Sequence, residues 1–398
     1  MNDTIIRILE KVEGVKGPQL KFMVGLLTVL MCFSGRATYR NLSRYSGCHE
    51  KTHSRWSRRK FDFSAFNTEL ICHELSVERR VVGVIDASFL RKSGKATEGL
   101  GKFWNSSSKK AEKGLEVSML GVVDLIGHTA YTVDARQTVD EEGVSRVTSY
   151  EQQVKESGAN LKRLGVSHVV GDGYYYKKSF IGAVMATGLA FVGKLRKDAD
   201  LWWPYTGKYR GRGRPKKYST KVKMTEDLSG FESCGTLEDG TMVFSADVYS
   251  KVLKRKIRVV VLRQYEGDKL TSQAALFTTD LNLPPMTVVE YYKARFQIEF
   301  VFRDAKQHTG LSDCQARKKE QIAHQINASL TALNVMKFED RREKGIEEQT
   351  VISIDSWKRR KANQLLINRI FEMLEIDTNT DKIRNIRNRL EKFGAIAA

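Results

Sequence analysis

The sequence feature that most constrains the fold is VVGVIDASFL at 81–90, a run of aliphatic and β-branched residues with one aspartate in its interior. Such a run is typical of a strand buried in a sheet, where the carboxylate of Asp86 is costly unless it is paired or binds a metal ion. A second apolar run, SHVVG at 167–171, ends directly before Asp172. Because α/β sheets build their sites at the carboxyl ends of strands, both aspartates are candidate site residues. Each alone could also be a structural cap or an ion-pair partner.

The order of the predicted elements indicates an α/β fold, a mixed sheet with helices on its faces. The segments LEVSMLGVVDL and GHTAYTVDARQ predict a hairpin after the first strand, and a helical period follows at 141–164. The strand before Asp172 and the segment GLAFVGKL then flank a further helix. From 196 to 285 the pattern changes to antiparallel strands, which we interpret as a β-rich insertion. Two basic helices, at about 320–344 and 352–374, end the chain.

The charge of the chain narrows the class of partner. Its 398 residues include 67 Lys+Arg and 47 Asp+Glu, a net charge of +20. A basic excess spread over the whole chain favours a nucleic-acid partner, although anionic membrane surfaces and ribosomes would also attract it. The longest apolar run, Phe22–Phe33, is too short to span a bilayer, so we expect no membrane partner and no export. An odd number of cysteines, five, favours a reducing compartment such as the cytoplasm.

Residues 36–60 have the spacing of a helix-turn-helix. We predict a first helix at 39–45, a turn at Ser46–Gly47 and a second helix at 49–58. An ordinary helical pair with a solvated basic face would show the same pattern. The polar residues that the second helix would offer to a DNA groove are Lys51, His53, Ser54, Arg55, Arg58 and Arg59.

One helix is predicted from Met286 to about Thr309, and a polar stripe runs along it. The residues that fall within about 60° of arc, at about 100° per residue, are Tyr292, Arg295, Glu299 and Lys306, with Arg303 close by. The rest of the helix surface is apolar on several sides, which is typical of a buried helix. The spacing of the charged residues is that of a salt-bridge ladder. One carboxylate among cations would also suit a cleft that holds a polyanion.

Glu299 adds a third carboxylate to Asp86 and Asp172. Hard divalent cations such as Mg²⁺ bind through carboxylate oxygens, water and substrate phosphate. Two such ions about 4 Å apart can clamp the attacking and leaving oxygens of a phosphoryl transfer. We therefore expect the three carboxylates to converge, with pKa values raised by mutual repulsion, and the cations of the stripe to face the DNA backbone. Asp124 and Asp134 also lie near predicted strand ends and are alternatives to either aspartate.

The order and spacing of these residues resemble the DDE superfamily of cut-and-paste transposases, in its bacterial insertion-sequence branch. A signature of Tyr, two residues, Arg, three residues, Glu, six residues and Lys marks that branch. The chain carries the signature in full, as Tyr292, Arg295, Glu299 and Lys306. The resemblance also covers VIDASFLRKSGK around the first aspartate, VVGDGYYYKKSF around the second and GLSDCQARKKEQIAHQINASLTAL after the signature. It spans most of residues 80–335.

The resemblance implies a ribonuclease-H-like catalytic core interrupted by a β-rich insertion, with helical N- and C-terminal regions. It further implies Mg²⁺ as the cofactor, with Mn²⁺ able to substitute, and double-stranded DNA as the partner. The predicted units are a helix-turn-helix-like DNA-binding domain at 1–78, the core at 79–195 and 286–340, the insertion at 196–285 and a basic helical region at 341–398.

Two features of the insertion are candidates for DNA contact. In relatives that cut through a DNA hairpin, a tryptophan of the insertion stacks on a flipped base, so Trp202 and Trp203 are candidates, although either could pack the root of the insertion instead. The segment RGRGRPKKY at 210–218 has an Arg214–Pro215 core that resembles a minor-groove hook, and Arg212 and Arg214 are its candidate DNA contacts. A solvated basic loop making phosphate contacts is the simpler interpretation.

The function that the resemblance implies is transposition. Such a protein binds terminal inverted repeats, nicks DNA to expose a 3′ hydroxyl and uses that hydroxyl to attack target DNA. Synapsis of two DNA ends implies a homodimer, acting in the bacterial cytoplasm at the nucleoid. A noncatalytic DNA-binding regulator derived from a transposase and a metal-dependent nuclease of the same fold are the alternatives.

Overall fold

A computed structural model describes residues 2–75, 79–138, 145–208, 211, 216–344, 352–376 and 380–396. The N-terminal part is helical throughout. Its helices are α1 (Asn2–Leu9), α2 (Gly17–Leu30), α3 (Tyr39–Ser46), α4 (Glu50–Trp56) and α5 (Phe63–Glu74). The predicted helix-turn-helix spacing is confirmed in α3 and α4, because Gly47 ends α3 in the left-handed conformation that a residue without a side chain adopts at no steric cost.

The core sheet contains two parallel pairs and an antiparallel group, as expected of a ribonuclease-H-like core. Its strands and helices are β1 (Val81–Arg91), β2 (Gly101–Asn105), β3 (Lys110–Asp124), β4 (Thr129–Gln137), α6 (Arg146–Arg163), β5 (His168–Gly171), α7 (Lys178–Ala186) and β6 (Ala190–Lys194). The antiparallel strands β4, β3 and β1 lie side by side, and β5 and β6 then continue parallel to β1. The hairpin and the two strands flanking a helix are confirmed, and β2 is an additional strand.

The inserted strands extend the same sheet. They are β7 (Leu201–Pro204), β8 (Tyr218–Lys221), β9 (Glu232–Thr236), β10 (Met242–Ser250), β11 (Arg255–Glu266) and β12 (Lys269–Thr278). Because β12 pairs with β6, the twelve strands among the described residues form one sheet, in the order β2-β3-β1-β5-β6-β12-β11-β10-β7-β8 with β4 beside β3 and β9 beside β10. The β-rich insertion is therefore joined to the core through backbone hydrogen bonds.

The predicted single helix at 286–309 is wrong, because the chain forms α8 (Pro285–Ala294) and α9 (Gln297–His308). Between them the hydrogen bonds tighten to a three-residue spacing, from the N–H of Arg295 to the carbonyl of Tyr292 and from that of Glu299 to Phe296. The expectation that the apolar sides of this helix are buried is also wrong, since Phe296, just before α9, and Phe300 are 52% and 43% exposed. Only the face with Ile298, Val301, Phe302 and Ala305 is buried.

Three helices complete the described chain. They are α10 (Lys319–Lys344), α11 (Ile354–Met373) and α12 (Asp381–Glu391). The first two match the predicted C-terminal helices, whereas α12 occupies what the sequence indicated only as a basic tail. The buried helix α10 contacts β4, α2, α5 and α9, so it joins the N-terminal helices to the sheet. Among the described residues no helix is long and apolar enough to cross a membrane.

Candidate active site

Three carboxylates from distant parts of the chain line one cavity of about 750 Å³. Asp86 lies in the second half of β1, and Asp172 directly follows the neighbouring parallel strand β5. Glu299 lies in the first turn of α9, which packs against β1 and β3. The two aspartates thus lie on neighbouring parallel strands, and the packing of α9 brings the glutamate to the same cavity.

The guanidinium of Arg295 lies between two of these carboxylates. Its Nη1 is 3.4 Å from Oδ2 of Asp86, and its Nη2 is 3.0 Å from Oε1 of Glu299. The Arg295 side chain is only 9% exposed, whereas that of Glu299 is 47% exposed. The turn between α8 and α9 directs this arginine inward, so the ladder spacing seen in the sequence becomes one buried cation shared by two acids.

Burial raises the pKa of the Asp86 carboxyl to about 7. Arg295 and the backbone N–H of Ala87, which donates to Oδ1 at 2.9 Å, oppose this shift because both stabilise the ionised form. The charges of Asp172 and Glu299 add to it. A raised pKa was expected at this site from charge repulsion, but the main cause is the desolvation of a carboxylate within a strand.

Asp172 also has a structural contact, since its Oδ1 accepts the backbone N–H of Tyr174 at 2.9 Å and caps the short 3₁₀ turn at Gly173–Tyr175. The aspartate is therefore held at the end of β5 with its carboxylate at the cavity. The sequence left open that Asp172 is only a structural cap. The structure shows that it caps this turn and also lines the cavity with Asp86 and Glu299.

Lys306 lies in the cavity without an acidic partner among the described residues. Its Nζ donates to Oγ of Ser88 at 2.8 Å, and burial lowers its pKa. Arg303 also lines the cavity and pairs with Asp304 at 2.9 Å. Tyr292 is half-buried beside Arg295, whose guanidinium carbon is 5.7 Å from the centre of the tyrosine ring.

A fourth carboxylate in the cavity, Glu116 of β3, is neutralised. It is 4% exposed, and it accepts hydrogen bonds from Arg146, whose Nε is 3.0 Å away, and from the hydroxyl of Tyr150. Neither Glu116 nor the exposed Trp104 of β2 at the cavity edge was predicted from the sequence. The acid in the apolar run LEVSML was the available signal for Glu116, equivalent to the one that identified Asp86.

The donor set of the cavity suits a hard divalent cation, because three carboxylates line it and its lining includes no histidine or cysteine. Within the described residues, however, no group of three or more His, Cys, Asp or Glu side chains is spaced to hold one ion. The position of Arg295 gives a physical reason, since its guanidinium lies between Asp86 and Glu299. The carboxylate oxygens of the cavity therefore suit a divalent cation. In this structure the guanidinium of Arg295 supplies the positive charge beside Asp86 and Glu299.

The predicted DNA-binding helix α4 presents only part of its predicted surface to solvent. The exposed cations among the predicted contacts are Lys51 and Arg55 in the helix and Arg58 and Arg59 just after it. His53 was expected to face a DNA groove and does not: it is 2% exposed, and its Nε2 is 2.9 Å from Oγ of Ser46. Ser54 is also partly covered, since its hydroxyl and carbonyl oxygens accept from Gln321 of α10.

The two tryptophans of β7 have different surroundings. Trp203 packs edge-on against Phe231, with 5.5 Å between ring centroids. Trp202 donates its ring N–H to Asp200 at 2.7 Å, and Nζ of Lys251 lies 3.6 Å from its ring centroid. Trp202 therefore adjoins an aromatic and basic surface, formed by Tyr205, Lys216, Lys217, Tyr218, Tyr249, Lys251 and Lys254.

The two alternative aspartates are not among the residues that line the cavity. Asp124 pairs with Arg341 at 2.9 Å, and Asp134 pairs with Arg136 at 2.7 Å, so both alternative aspartates are structural ion-pair partners. The basic segment with Arg212 and Arg214 lies outside the described residues.

Comparison with known proteins agrees with this geometry. No curated protein matches the chain significantly. A family model described as "Transposase DDE domain" matches residues 78–335, which is more than half of the 398 residues. The match includes all three carboxylates of the cavity, the inserted strands and the turn between α8 and α9. The chain therefore belongs to the transposase DDE domain family.

Proposed function

We propose that this protein is a DNA transposase of the bacterial insertion-sequence type, which binds terminal inverted repeats and catalyses DNA cleavage and strand transfer. The observation that carries the proposal is the cavity in which Asp86, Asp172 and Glu299 meet beside Arg295 and Lys306. These positions combine the two aspartates of the sheet with Arg295, Glu299 and Lys306 of the signature found in the sequence. Members of the family act on DNA and use divalent metal ions.

In this proposal Asp86, Asp172 and Glu299 hold the metal ions, with Mg²⁺ as the natural cofactor and Mn²⁺ as a substitute. Bound cations would activate the attacking water or 3′ hydroxyl and offset charge on the leaving oxygen. Arg295 contributes a planar guanidinium that matches phosphate oxygens, and Lys306 contributes a second cation seven residues after Glu299. Both side chains stabilise negative charge on the transferring phosphate and orient the DNA backbone.

The proposed DNA path extends from the cavity to two further surfaces. Three exposed cations on and just after α4, Lys51, Arg55 and Arg58, are proposed to contact the repeat sequence. In the insertion Trp202 is the better candidate for a base contact, because it adjoins Lys251 and the basic surface, whereas Trp203 packs against Phe231. Tyr292 and Arg303 flank the scissile region, and Arg212 and Arg214 are proposed to contact phosphates.

We also propose that two copies act together, since synapsis joins two DNA ends. The C-terminal helices support this proposal with an exposed apolar surface in the described part of the chain. On α11 and just after it, the exposed apolar residues are Leu365, Leu366, Ile370, Met373 and Leu374, and on α12 and just after it they are Ile386, Leu390, Phe393 and Ile396. Helical spacing aligns Leu366, Ile370 and Met373 in a stripe that a second copy would cover.

The function is tested with Asp86→Asn, Asp172→Asn and Glu299→Gln, incubated with Mg²⁺ or Mn²⁺ and a labelled duplex that carries a transposon end. We expect each variant to lose cleavage and joining by at least about 100-fold and to bind the duplex like the wild type, because phosphate contacts supply most of the affinity. Asp239→Asn, at an exposed carboxylate in the β9–β10 turn, is the matched control and should stay active.

The alternatives predict other results for the wild type. Binding without cleavage would support the regulator, and cleavage without joining would support the nuclease. A variant that loses binding while its fold stays intact would show that the proposed separation of binding and chemistry is wrong.

A further inference from the structure

Trp104 is the most exposed of the five tryptophans, all of which lie within the described residues. It is 56% exposed, and it lines the same cavity as Asp86, Asp172 and Glu299. A tryptophan ring left in solvent forgoes a large gain in apolar burial. In this position the ring instead borders the cleft that holds the reacting phosphate in the proposed function.

The strand β2 holds Trp104 in place through its other face. Phe103 is 1% exposed, and the guanidinium carbon of Arg146 lies 5.6 Å from the centre of its ring. The same arginine binds Glu116 at the side of the cavity. Alternation along a strand directs Phe103 into the protein, so Trp104 faces the opposite way.

The tip of the β2–β3 hairpin is tied down as well. The side chain of Asn105 accepts the backbone N–H of Ser107 at 3.1 Å and donates to Glu112 at 2.7 Å. Asn105, Ser106 and Ser107 also line the cavity. Trp104 is therefore fixed at the cavity edge next to several hydrogen-bonding groups, on a paired strand and a closed turn.

Cations accompany the ring on its face of the hairpin. In the register of the two strands, Lys102 pairs with Lys113 and Trp104 pairs with Ala111, so these four side chains share one face. Both lysines are exposed. An aromatic ring beside exposed cations suits a nucleic-acid strand whose bases are unstacked, because every unpaired base offers a face to stack on and the cations can contact phosphates.

We propose that the β2–β3 hairpin is a DNA-binding element of the active-site cleft, in which Trp104 stacks on an unpaired base beside the reacting phosphate. Lys102 and Lys113 bind the backbone of that strand, and the polar tip at 105–107 faces the edge of the base. The inference rests on the proposed function and assigns a binding role to a strand that the signature residues do not include. A base inside an intact duplex offers no free face, so the site selects frayed or single-stranded DNA at the break.

The test uses the full-length protein without divalent metal and two DNA probes of equal length. One is a fully paired duplex, and the other has a short unpaired flap that contains 2-aminopurine. Trp104→Ala should weaken binding of the flap probe by about 5- to 150-fold, the range for the loss of one aromatic stacking partner, and should abolish the quenching of 2-aminopurine. Binding of the paired duplex should stay nearly unchanged. Trp104→Phe should restore most of the affinity and quenching, and Tyr265→Ala, at an exposed aromatic of β11, should behave like the wild type.

Two results would overturn the inference while leaving the proposed function intact. The first is a Trp104→Ala variant that binds and quenches the flap probe like the wild type. The second is an equal loss for both probes, which would make Trp104 a contact to the duplex. A wild type that binds neither probe would overturn the proposed function itself, and this inference with it.

Discussion

At the scale of single residues, Arg295 links the acids of the site. It is buried, and it makes ion pairs with Asp86 and Glu299 at 3.4 Å and 3.0 Å. Removing one partner of a buried ion pair leaves an uncompensated charge. Arg295 therefore stabilises the buried carboxylate of Asp86 in β1 and also lines the cleft. Lys306 makes no such ion pair among the described residues, and its Nζ donates a hydrogen bond to Ser88 instead.

Lys306→Gln should separate charge from structure at that position. We expect the thermal midpoint to change little, because the hydrogen bond to Ser88 that the shorter amide could lose contributes only about 1 kcal/mol. Strand joining should fall by at least about ten-fold, because the cation that stabilises the phosphate is lost. Ser88→Ala is the matched control, which removes the hydrogen bond and keeps the cation. A normal joining rate in Lys306→Gln would show that this lysine has no role in DNA placement.

At the scale of elements, α10 holds the N-terminal helices against the sheet. His324 of α10 lies among aromatic rings from three other helices, 6.4 Å from Phe22 of α2 and 5.3 Å from Phe63 of α5, with His53 of α4 nearby. Burial lowers the pKa of His324 to about 4, and the charge of His53 adds to the shift. The packing of α2, α4 and α5 on α10 thus depends on a neutral histidine.

This histidine makes the stability of the fold depend on pH. Between pH 6.5 and 4 the unfolded chain binds a proton at His324 that the folded chain does not, so stability is complete above pH 6.5 and falls with acidification. From pH 7 to pH 5 the wild type should lose about 2 kcal/mol of unfolding free energy through this group. In His324→Phe, which keeps an aromatic ring, urea unfolding should show a loss smaller by that amount. An unchanged loss in the variant would assign the pH dependence to other groups, with His53 the first to examine.

At the scale of the whole molecule, one sheet carries both the catalytic core and the insertion, so the surfaces around Trp202 and around Asp86 belong to one hydrogen-bonded framework. The net charge of +20 surrounds this framework with a field that attracts DNA. The C-terminal helices differ from the rest, since their exposed surface is rich in apolar residues such as Met373 and Phe393, at 76% and 77% exposure.

The proposed dimer is tested by the double variant Leu366→Glu and Met373→Glu. Introducing two charges into an apolar contact between copies should convert the protein from two copies to one, as measured by light scattering in the presence of duplex DNA that carries the transposon end. Ile126→Glu, at a residue that is 50% exposed in the β3–β4 turn, is the matched control and should remain a dimer. A double variant that still forms dimers would place the interface elsewhere.

The sequence by itself determined the order of the core elements along the chain, the positions of the two aspartates in and directly after buried strands, and the glutamate of the signature. These features are local, since apolar runs and residue spacing reflect the period of a strand or helix. The helix-turn-helix could be predicted for the same reason, because the turn needs a residue such as Gly47 that tolerates a positive φ.

Only the tertiary structure decided which side chains meet. The break between α8 and α9 contains no proline or glycine that would have indicated it in the sequence. It turns Arg295 inward, toward Asp86, which is 209 residues away in the chain, and Glu299, which is 4 residues away. The short strand β2 forms because β3 pairs with it, and this pairing places Trp104 at the cleft. The sequence pattern of α4 places His53 among the residues that would face a DNA groove, yet the packing of α4 on α2 and α10 buries it. Such contacts depend on how distant elements pack, which the local period of a sequence does not encode.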